Sequence, residues 1–345
     1  MTAVPRGPAG LSGLDGFLSG KKGALARRWV CAGEDPDPER FRRAGYTLTE
    51  GEAEDLRAWR SRGLSTRVER RIDSADGTAR LVLRLRDDRI VETVAMPVGA
   101  VCVSSQVGCA VGCRFCASGM RGVERNLDAQ EIVEQVIHAR RLMRIDRVVF
   151  MGMGEPSHNL GAVLEAVSFL ARNAHIGARR QTLSTVGSSR TFERMRAAAV
   201  PPALALSLHC ADDERRRQIL PRAHREPIAE IVAAADCYGR AIDNPVQFEW
   251  TLLAGFNDRD RDIDALIRLL DGANGYVNFI VWNPVEGLPF AAPPRERTVE
   301  IVRRVKRAGI LATIRDSSGA DAGAGCGQLR LRAIRELEFG GSKAL

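Results

Sequence analysis

The spacing of hydrophobic positions changes twice along this chain of 345 residues. Residues 1 to about 60 carry Gly, Pro and charge without long periodic runs, apart from helical spacing over 51–62, which predicts a small helical lead-in. Between 66 and 97, apolar and polar residues alternate in three runs that are joined by an Asp-Gly pair and an Asp-Asp pair. Alternation with turn residues between the runs predicts a short antiparallel meander.

From Val101 onward, short apolar runs alternate with segments in which apolar residues recur every three or four positions. The runs predict buried strands and the segments predict amphipathic helices. Repeated βα units predict a parallel sheet, closed or partly closed as a barrel, with the active site at the carboxyl ends of its strands. The strand candidates are 101–107, 146–152, 180–186, 203–209, 246–252, 276–282 and 310–316, and the helix candidates are 127–143, 159–173, 189–199, 228–239, 260–272 and 295–309.

The organisation of the chain is therefore predicted to be α/β with a small N-terminal extension. We expect the lead-in and meander over 1–95, the partial barrel over 96–335 and a tail over 336–345. Hydrophobic residues make up 45% and charged residues 27% of the chain, which is typical of a globular protein and excludes broad disorder. The start has no apolar signal-peptide region, and no stretch reaches the ~18 apolar residues of a membrane span, so a cytoplasmic protein is expected.

The formal net charge is +8, and the positive charge is almost all arginine. Lysine occurs only at Lys21, Lys22, Lys306 and Lys343. Arginine forks suit phosphate, so an anionic partner such as RNA is compatible with this charge. An arginine-rich chain can equally reflect the base composition of its genome, so charge alone does not assign the partner.

Three of the eight cysteines, Cys109, Cys113 and Cys116, lie within eight residues as CxxxCxxC. In a reducing compartment such crowding indicates metal binding or catalysis rather than a disulfide framework. Three thiolates can converge on one metal centre and leave an iron with an open coordination position. The alternative is a zinc site, whose fourth ligand would be one of three side chains: Cys102, Cys326 or His209.

With Phe115 before its last cysteine, the CxxxCxxC string is similar to that of the radical S-adenosylmethionine (SAM) superfamily. Seven further strings follow the order seen in the RlmN/Cfr family of radical SAM RNA methyltransferases. They are Cys102-Val-Ser-Ser-Gln-Val-Gly-Cys109, Arg125-Asn126-Leu127, Met151-Gly-Met-Gly-Glu-Pro156, Leu183-Ser-Thr185, Ser207-Leu-His209, Asn283-Pro284 and Cys326-Gly-Gln-Leu329. The resemblance runs from about Arg80 to Leu329.

This resemblance implies a partial (β/α)-barrel of the radical SAM type, a [4Fe–4S] cluster on Cys109, Cys113 and Cys116, and SAM as cofactor. In the family one SAM molecule is split reductively at the cluster to a deoxyadenosyl radical, and another methylates a cysteine of the enzyme. The implied reaction is methylation of an adenosine carbon, C2 or C8, in ribosomal or transfer RNA. An electron donor such as flavodoxin or ferredoxin is implied as a further partner, without a membrane.

The resemblance also implies roles for three residues outside the cluster string. Cys326 matches the cysteine that carries the methyl group, and Cys102 matches the one that resolves the protein–RNA adduct through a transient disulfide with Cys326. Glu92 matches the family's proton acceptor, although its link to the cysteine string is shorter than usual. The plainer alternatives are a buried thiol in a tight turn for Cys326, a packed strand thiol for Cys102 and an exposed strand carboxylate for Glu92.

SAM contacts carried over from the family recur at successive strand ends. They are Gly154, Glu155, Ser184, Ser207, Leu208, His209 and Asn283. The other cysteines, Cys31, Cys210 and Cys237, are expected to be packing or incidental thiols.

The chain departs from the family at three places. It lacks the basic and aromatic string of the longer N-terminal domain, it carries Leu208-His-Cys-Ala-Asp-Asp213 where LHAPND is usual, and Pro221-Arg-Ala-His224 lacks an asparagine. The alternatives are therefore a divergent enzyme acting on another RNA or a non-RNA acceptor, and a non-catalytic RNA-binding or iron–sulfur protein.

Overall fold

The computed structural model describes residues 18–329, and the predicted tail lies outside them. Three helices begin this part of the chain: α1 (Gly20–Cys31), α2 (Pro38–Arg43) and α3 (Glu50–Arg62). Helix α3 confirms the predicted helical pattern and begins with a capping box at Thr49. Helix α1 was not predicted, since its buried positions are few and small, and it is held by contacts with other helices.

The predicted meander is present as strands β1 (Arg67–Asp73), β2 (Ala79–Arg84) and β3 (Ile90–Met96), paired antiparallel. Strand β3 also pairs antiparallel with β4 (Ala100–Cys102), with Val94 opposite Cys102. The meander therefore extends the barrel sheet and does not form a sheet of its own.

Strand β4 is the first of seven parallel strands, which confirms the predicted alternation of strands and helices. Within residues 18–329 the main sheet has ten strands in chain order, the meander strands at one edge and the seven parallel strands after them, so it is open, as a partial barrel requires. The further strands are β7 (Arg147–Phe150), β8 (Gln181–Thr185), β9 (Ala203–Ser207), β10 (Val246–Leu252), β11 (Gly275–Val281) and β12 (Leu311–Arg315).

The helices between these strands cover the outer face of the sheet with their apolar stripes. They are α4 (Ala129–Arg140), α5 (Leu160–Asn173), α6 (Ser189–Arg196), α7 (Asp213–Ile219), α8 (Ile228–Ala241), α9 (Asp260–Leu269) and α10 (Arg295–Arg307). Helix α7 was not predicted, because its seven residues, about two turns, are mostly charged. No helix in the part that the structure describes is long and apolar enough to cross a membrane.

The predicted strand over 101–107 divides into two elements. After β4 the chain leaves the main sheet, where the Ser104 amide donates to Gln135 Oε1 at 2.7 Å and the Ser105 amide to the Met153 carbonyl at 2.8 Å. It then forms β5 (Gln106–Gly108), which pairs antiparallel with β6 (Val123–Asn126). The loop that carries the cysteine string is thus held between two paired strands.

Candidate functional site

A cavity opens at the carboxyl ends of the parallel strands. A second cavity adjoins it, and Cys116, Met151 and Cys326 are among the residues that line both. Predicted site residues around the first cavity are Cys109, Cys113, Cys116, Gly154, Glu155, Ser184, Ser207, His209 and Cys326. This is the location that the barrel topology predicts for an active site.

The cysteine loop is fixed at several points by its main chain. The Arg114 amide donates to the Ile219 carbonyl at 2.9 Å, and the Ala117 amide donates to the Gly327 carbonyl at 2.7 Å. Gly112 has φ +66, and Gly119 packs so closely against it that a Cβ on Gly119 would lie 2.7 Å from the Gly112 Cα. The left-handed φ at Gly112 and the close approach of Gly119 explain why glycine stands at both positions of the loop.

The three thiols of this loop lie in an environment that favours their neutral form. Burial raises the pKa of Cys109 to about 12, and the neighbouring Cys116 adds to the shift. Burial and the two other thiols raise the pKa of Cys113 well above its usual value. Iron binding would replace these protons with metal charge, because thiolates are the ligands of iron–sulfur clusters.

This set of donors fits a cluster, since three thiols line one cavity on a loop with a fixed main chain. Among residues 18–329, no three His, Cys, Asp or Glu side chains are already gathered as a metal site. Cluster binding therefore requires the thiols of Cys109, Cys113 and Cys116 to turn toward a common point.

Gly154 and Glu155 join the end of β7 to the neighbouring strand. Glu155 accepts hydrogen bonds from the Thr185 hydroxyl at 2.5 Å and the Val186 amide at 3.1 Å. Gly154 has φ +103, and a Cβ there would lie 2.6 Å from the Gln106 amide nitrogen. The close approach of two backbones explains why glycine stands at this position.

Ser184, Ser207 and His209 lie on the adjacent strand ends. The two serine hydroxyls are 3.2 Å apart, and His209 Nδ1 accepts from the Thr251 amide at 3.0 Å. Burial and then the charge of Arg216 lower the pKa of His209 to about 3. The imidazole is thus neutral at physiological pH, and its Nε2 carries the proton because Nδ1 is the acceptor.

Two of the predicted SAM contacts do not line either cavity. The side chain of Leu208 packs in the hydrophobic core, so a contact with SAM would have to come from its main chain. Asn283 instead donates from Nδ2 to the Ser317 hydroxyl at 2.7 Å and to the Cys326 carbonyl at 3.0 Å. Asn283 therefore holds the loop that carries Cys326.

Cys102 and Cys326 both line the second cavity, so the structure brings the two predicted reactive thiols together. Burial raises the pKa of Cys102 to about 12, and the Cys326 thiol adds to the shift, while the charge of Arg315 opposes it. The Cys102 thiol consequently needs a stabilising charge in order to ionise at neutral pH.

Glu92 is placed differently from the other predicted residues. Its side chain is fully buried in an ion pair with Arg80 and lines neither cavity, so the alternative of an exposed strand carboxylate is wrong. Glu92 does lie on the same face of β3 as Val94, which lines the second cavity, because strand residues two apart share a face. The carboxylate thus lies on the face of β3 that borders the second cavity and is paired with Arg80.

Several residues of the site were not found from the sequence. The guanidinium of Arg216 donates to the carbonyls of Val186 at 2.8 Å, Ser207 at 3.0 Å and Leu208 at 3.1 Å, so it ties the ends of β8 and β9 together. The indole of Trp282 donates to the Phe115 carbonyl at 2.9 Å. No local pattern distinguishes these side chains from surface arginines or core aromatics.

Cys31 and Cys210 are buried, as expected for packing thiols, and Cys237 is exposed. Cys210 lies beside His209 but its side chain belongs to the hydrophobic cluster behind the cysteine loop.

Comparisons with known proteins match this chain to radical SAM proteins and to RNA methyltransferases. A family described as the Radical SAM superfamily matches residues 103–269. A probable RNA methyltransferase of Chromobacterium violaceum is 47% identical over 272 residues, covering 79% of this chain and 77% of that protein. Another, of Methylibium petroleiphilum, is 44% identical over 327 residues, covering 92% and 90%. The crystal structure of a radical SAM methyltransferase from Sphaerobacter thermophilus has a TM-score of 0.82 and 37% identity, covering 90% of this chain and 92% of that one.

Proposed function

Since this chain belongs to the family of radical SAM RNA methyltransferases, we propose that it methylates an adenosine carbon, C2 or C8, in ribosomal or transfer RNA. The supporting observation is that Cys102 and Cys326 line one cavity beside the cysteine string. Family membership makes the chain a SAM-dependent methyltransferase, so the alternative of a non-catalytic protein is wrong. Radical SAM proteins use a [4Fe–4S] cluster and SAM, so the alternative of a zinc site on the cysteine string is wrong.

Cys109, Cys113 and Cys116 would hold the cluster on three irons, and SAM would lie in the first cavity. When bound, the two groups supply the one-electron chemistry that generates a deoxyadenosyl radical. Ser184, Ser207 and the neutral His209 are polar groups at the strand ends, and they can bind and orient the ribose and methionine parts of SAM. The Glu155 carboxylate accepts from Thr185 and Val186, so it holds the segment after β7 against the end of β8 at the border of the SAM site.

Cys326 acts as the methyl carrier in this proposal, because its loop places the thiol where the two cavities meet. Its thiolate takes the methyl group from one SAM molecule. After the carbon has been joined to the nucleotide, Glu92 accepts the proton of the adenosine carbon, once Arg80 moves aside. The Cys102 thiolate then attacks the Cys326 sulfur, so that an S–S bond forms as the S–C bond to the nucleotide breaks.

The proposed partners are RNA and an electron donor such as flavodoxin or ferredoxin, in the cytoplasm. The donor would reduce the cluster and restore the two thiols from their disulfide. These partners rest on family analogy.

Nucleoside mass spectrometry tests the proposed reaction. Cluster-reconstituted protein, a reductant and methyl-deuterated SAM are incubated anaerobically with unmodified ribosomal and transfer RNA, beside the Cys326→Ala variant. Deuterated methyladenosine formed only by the unsubstituted protein is expected, and comparison with standards distinguishes C2 from C8. The matched control is Cys237→Ala, which removes an exposed thiol and should leave the product yield unchanged.

One result would overturn the RNA substrate: deoxyadenosine released from SAM without label in any RNA. That outcome would favour the alternative of a divergent methyltransferase with another RNA or a non-RNA acceptor. Methylation of RNA by Cys326→Ala at the normal rate would instead overturn the methyl-cysteine step.

A further inference from the structure

Arg315, the last residue of β12, extends into the second cavity, where Cys102 and Cys326 also lie. Its guanidinium donates to the thioether sulfur of Met151 at 3.3 Å, and its nearest carboxylate oxygen, Glu249 Oε2, is 3.7 Å away. A thioether is a weak acceptor, and the distance to Glu249 exceeds that of a hydrogen-bonded ion pair. Arg315 therefore has an ion-pair partner in Glu249, but not one in hydrogen-bond contact.

Glu249 does not compensate Arg315 well for a second reason. Its other oxygen, Oε1, accepts from Asn278 Nδ2 at 2.9 Å, while Oε2 is buried without a hydrogen-bond partner. Burial raises the pKa of this carboxyl, and the charge of Arg315 opposes the shift. The positive charge of Arg315 thus faces the cavity with only partial compensation behind it.

Cys102 and Cys326 line the same cavity as Arg315, and each becomes an anion when its thiol ionises. Burial raises the pKa of Cys102, and the charge of Arg315 opposes this shift. Burial lowers the pKa of Arg315, but Cys326, Glu249 and Cys102 raise it and outweigh burial. Reciprocal effects of this kind are expected when a cation and two ionisable thiols lie in one poorly solvated space.

We propose that Arg315 is a positioning residue for adduct resolution, whose guanidinium stabilises the Cys102 thiolate as it attacks the Cys326 sulfur. The inference rests on the proposed function of Cys102. In the step, the Cys102 thiol gives its proton to water and its electron pair forms the S–S bond. The electron pair of the broken S–C bond leaves with the nucleotide carbon, which takes a proton from water to complete the methyl group.

The surroundings of Cys102 supply little other charge. Strand β3 presents the apolar Val94 and Met96, and the segment after β7 presents Met151. The ionisable and charged groups that face Cys102, or stand behind those that do, are Arg315, Asp316, Cys326, Cys116, Glu249 and the Arg80–Glu92 ion pair. Asp316 is already paired with Arg295 at 2.8 Å. Arg315 is therefore the group that can favour the thiolate.

The test measures the rate at which iodoacetamide alkylates Cys102 in cluster-reconstituted, anaerobic protein between pH 6.5 and 9. A Cys326→Ser background removes the second thiol, and peptide mass spectrometry follows each cysteine separately. When the pH lies below the pKa of Cys102, its alkylation rate rises tenfold per pH unit. The ratio of the rates of two variants at one pH therefore measures the change in the thiolate fraction of Cys102. A tenfold loss of thiolate is partly offset by its higher nucleophilicity, which leaves roughly a threefold loss of rate.

Arg315→Met and Arg315→Gln should alkylate Cys102 roughly three- to tenfold more slowly at every pH, whereas Arg315→Lys, which keeps the cation, should stay within about twofold of the parent. Arg303→Met is the matched control, because it removes one positive charge from an exposed position of α10 that lines neither cavity, and it should leave the alkylation rate unchanged. Equal rates in Arg315→Met, Arg315→Gln and the parent would overturn the proposal.

Two other cysteines check the variants in the same samples. Alkylation of the exposed Cys237 measures the activity of the reagent, and alkylation of the buried Cys31 shows whether the fold has opened. If Arg315→Met opens the fold, the comparison of Arg315→Gln with Arg315→Lys decides by the same criterion. The alkylation rate does not depend on RNA, so the two proposals can fail separately. If the Arg315 variants alkylate more slowly but the RNA assay yields no methyladenosine, only the proposed substrate is overturned. If methyladenosine forms but the alkylation rates are equal, only this inference is overturned.

Discussion

The amide of Ala117 donates a 2.7 Å hydrogen bond to the carbonyl of Gly327. These residues directly follow Cys116 and Cys326, so the bond joins the end of the cysteine string to the loop of the proposed methyl carrier. Asn283 adds a second tie through the Cys326 carbonyl at 3.0 Å. The position of the Cys326 thiol is therefore set relative to the cysteine string, and not only by its own loop.

Replacement of Gly154 by alanine should destabilise the strand end that shapes the SAM site. The added Cβ would lie 2.6 Å from the Gln106 amide nitrogen, and φ +103 is unfavourable for any L side chain. We expect a loss of about 1–3 kcal/mol in the free energy of unfolding, measured in urea.

Gly161→Ala is the control for this substitution. Gly161 lies in the first turn of α5 with nothing within 4 Å of an added Cβ, so alanine there should keep or slightly raise stability. Equal stabilities for the two variants would contradict the close approach at Gly154.

Arg216→Met should leave the carbonyls of Val186 and Ser207, at the ends of β8 and β9, without their buried side-chain donor, whereas the Leu208 carbonyl keeps the Cys210 amide at 2.8 Å. Each unsatisfied buried group costs about 1–3 kcal/mol, so we expect a loss of roughly 3 kcal/mol or more in the free energy of unfolding. The control is Arg217→Met, on the exposed side of the same helix, which should change stability by less than about 0.5 kcal/mol. A small effect at Arg216 would mean that water can replace the guanidinium.

The cysteine string could be predicted because its residues are close in sequence, so that any fold of the loop keeps the three thiols near one another. The order of the parallel strands could be predicted for a similar reason, since each helix connects neighbouring strands. The end of β9 also shows why Leu208 is not exposed in the cavity, because Ser207, the last residue of the strand, lines the cavity and the next residue packs in the core.

Partners that are distant in sequence could not be predicted. The Arg80–Glu92 ion pair depends on how the side chains of β2 and β3 meet, and the role of Arg216 depends on where a short charged helix packs. Arg315 is equally undistinguished in sequence, because only the folded sheet places the end of β12 beside Cys102.

Acid should destabilise the protein through its buried histidines. Burial lowers the pKa of His138 to about 4, and His209 has a pKa of about 3, whereas an unfolded histidine has about 6.5. Because both folded values are depressed, the stabilisation is complete above pH 6.5 and is lost as pH falls toward 4. Each histidine contributes a loss of about 1.4 kcal/mol per pH unit in this range.

His138→Gln should therefore remove about half of this pH dependence, measured as the free energy of unfolding in urea at pH 7, 6 and 5. The buried side chain bonds to Thr66, and glutamine can retain a donor there without titrating. His175→Asn, at an exposed position with φ +56, is the control and should keep the full slope. Equal slopes for the two variants would contradict a neutral His138.

Asn283→Ala should impair methylation of Cys326 more than cleavage of SAM. The amide bonds to Ser317 and to the Cys326 carbonyl but lines neither cavity, so its loss loosens the carrier loop and leaves the SAM site in place. With two hydrogen bonds removed, at about 1 kcal/mol each, we expect the methylated fraction of Cys326 to form at least tenfold more slowly. Peptide mass spectrometry measures that rate, and deoxyadenosine release measures cleavage in the same sample.

Asn173→Ala, at the end of α5, is the control and should change neither rate. Equal losses of both rates in Asn283→Ala would show that Asn283 contacts SAM directly, as the family resemblance implies, rather than acting through the loop.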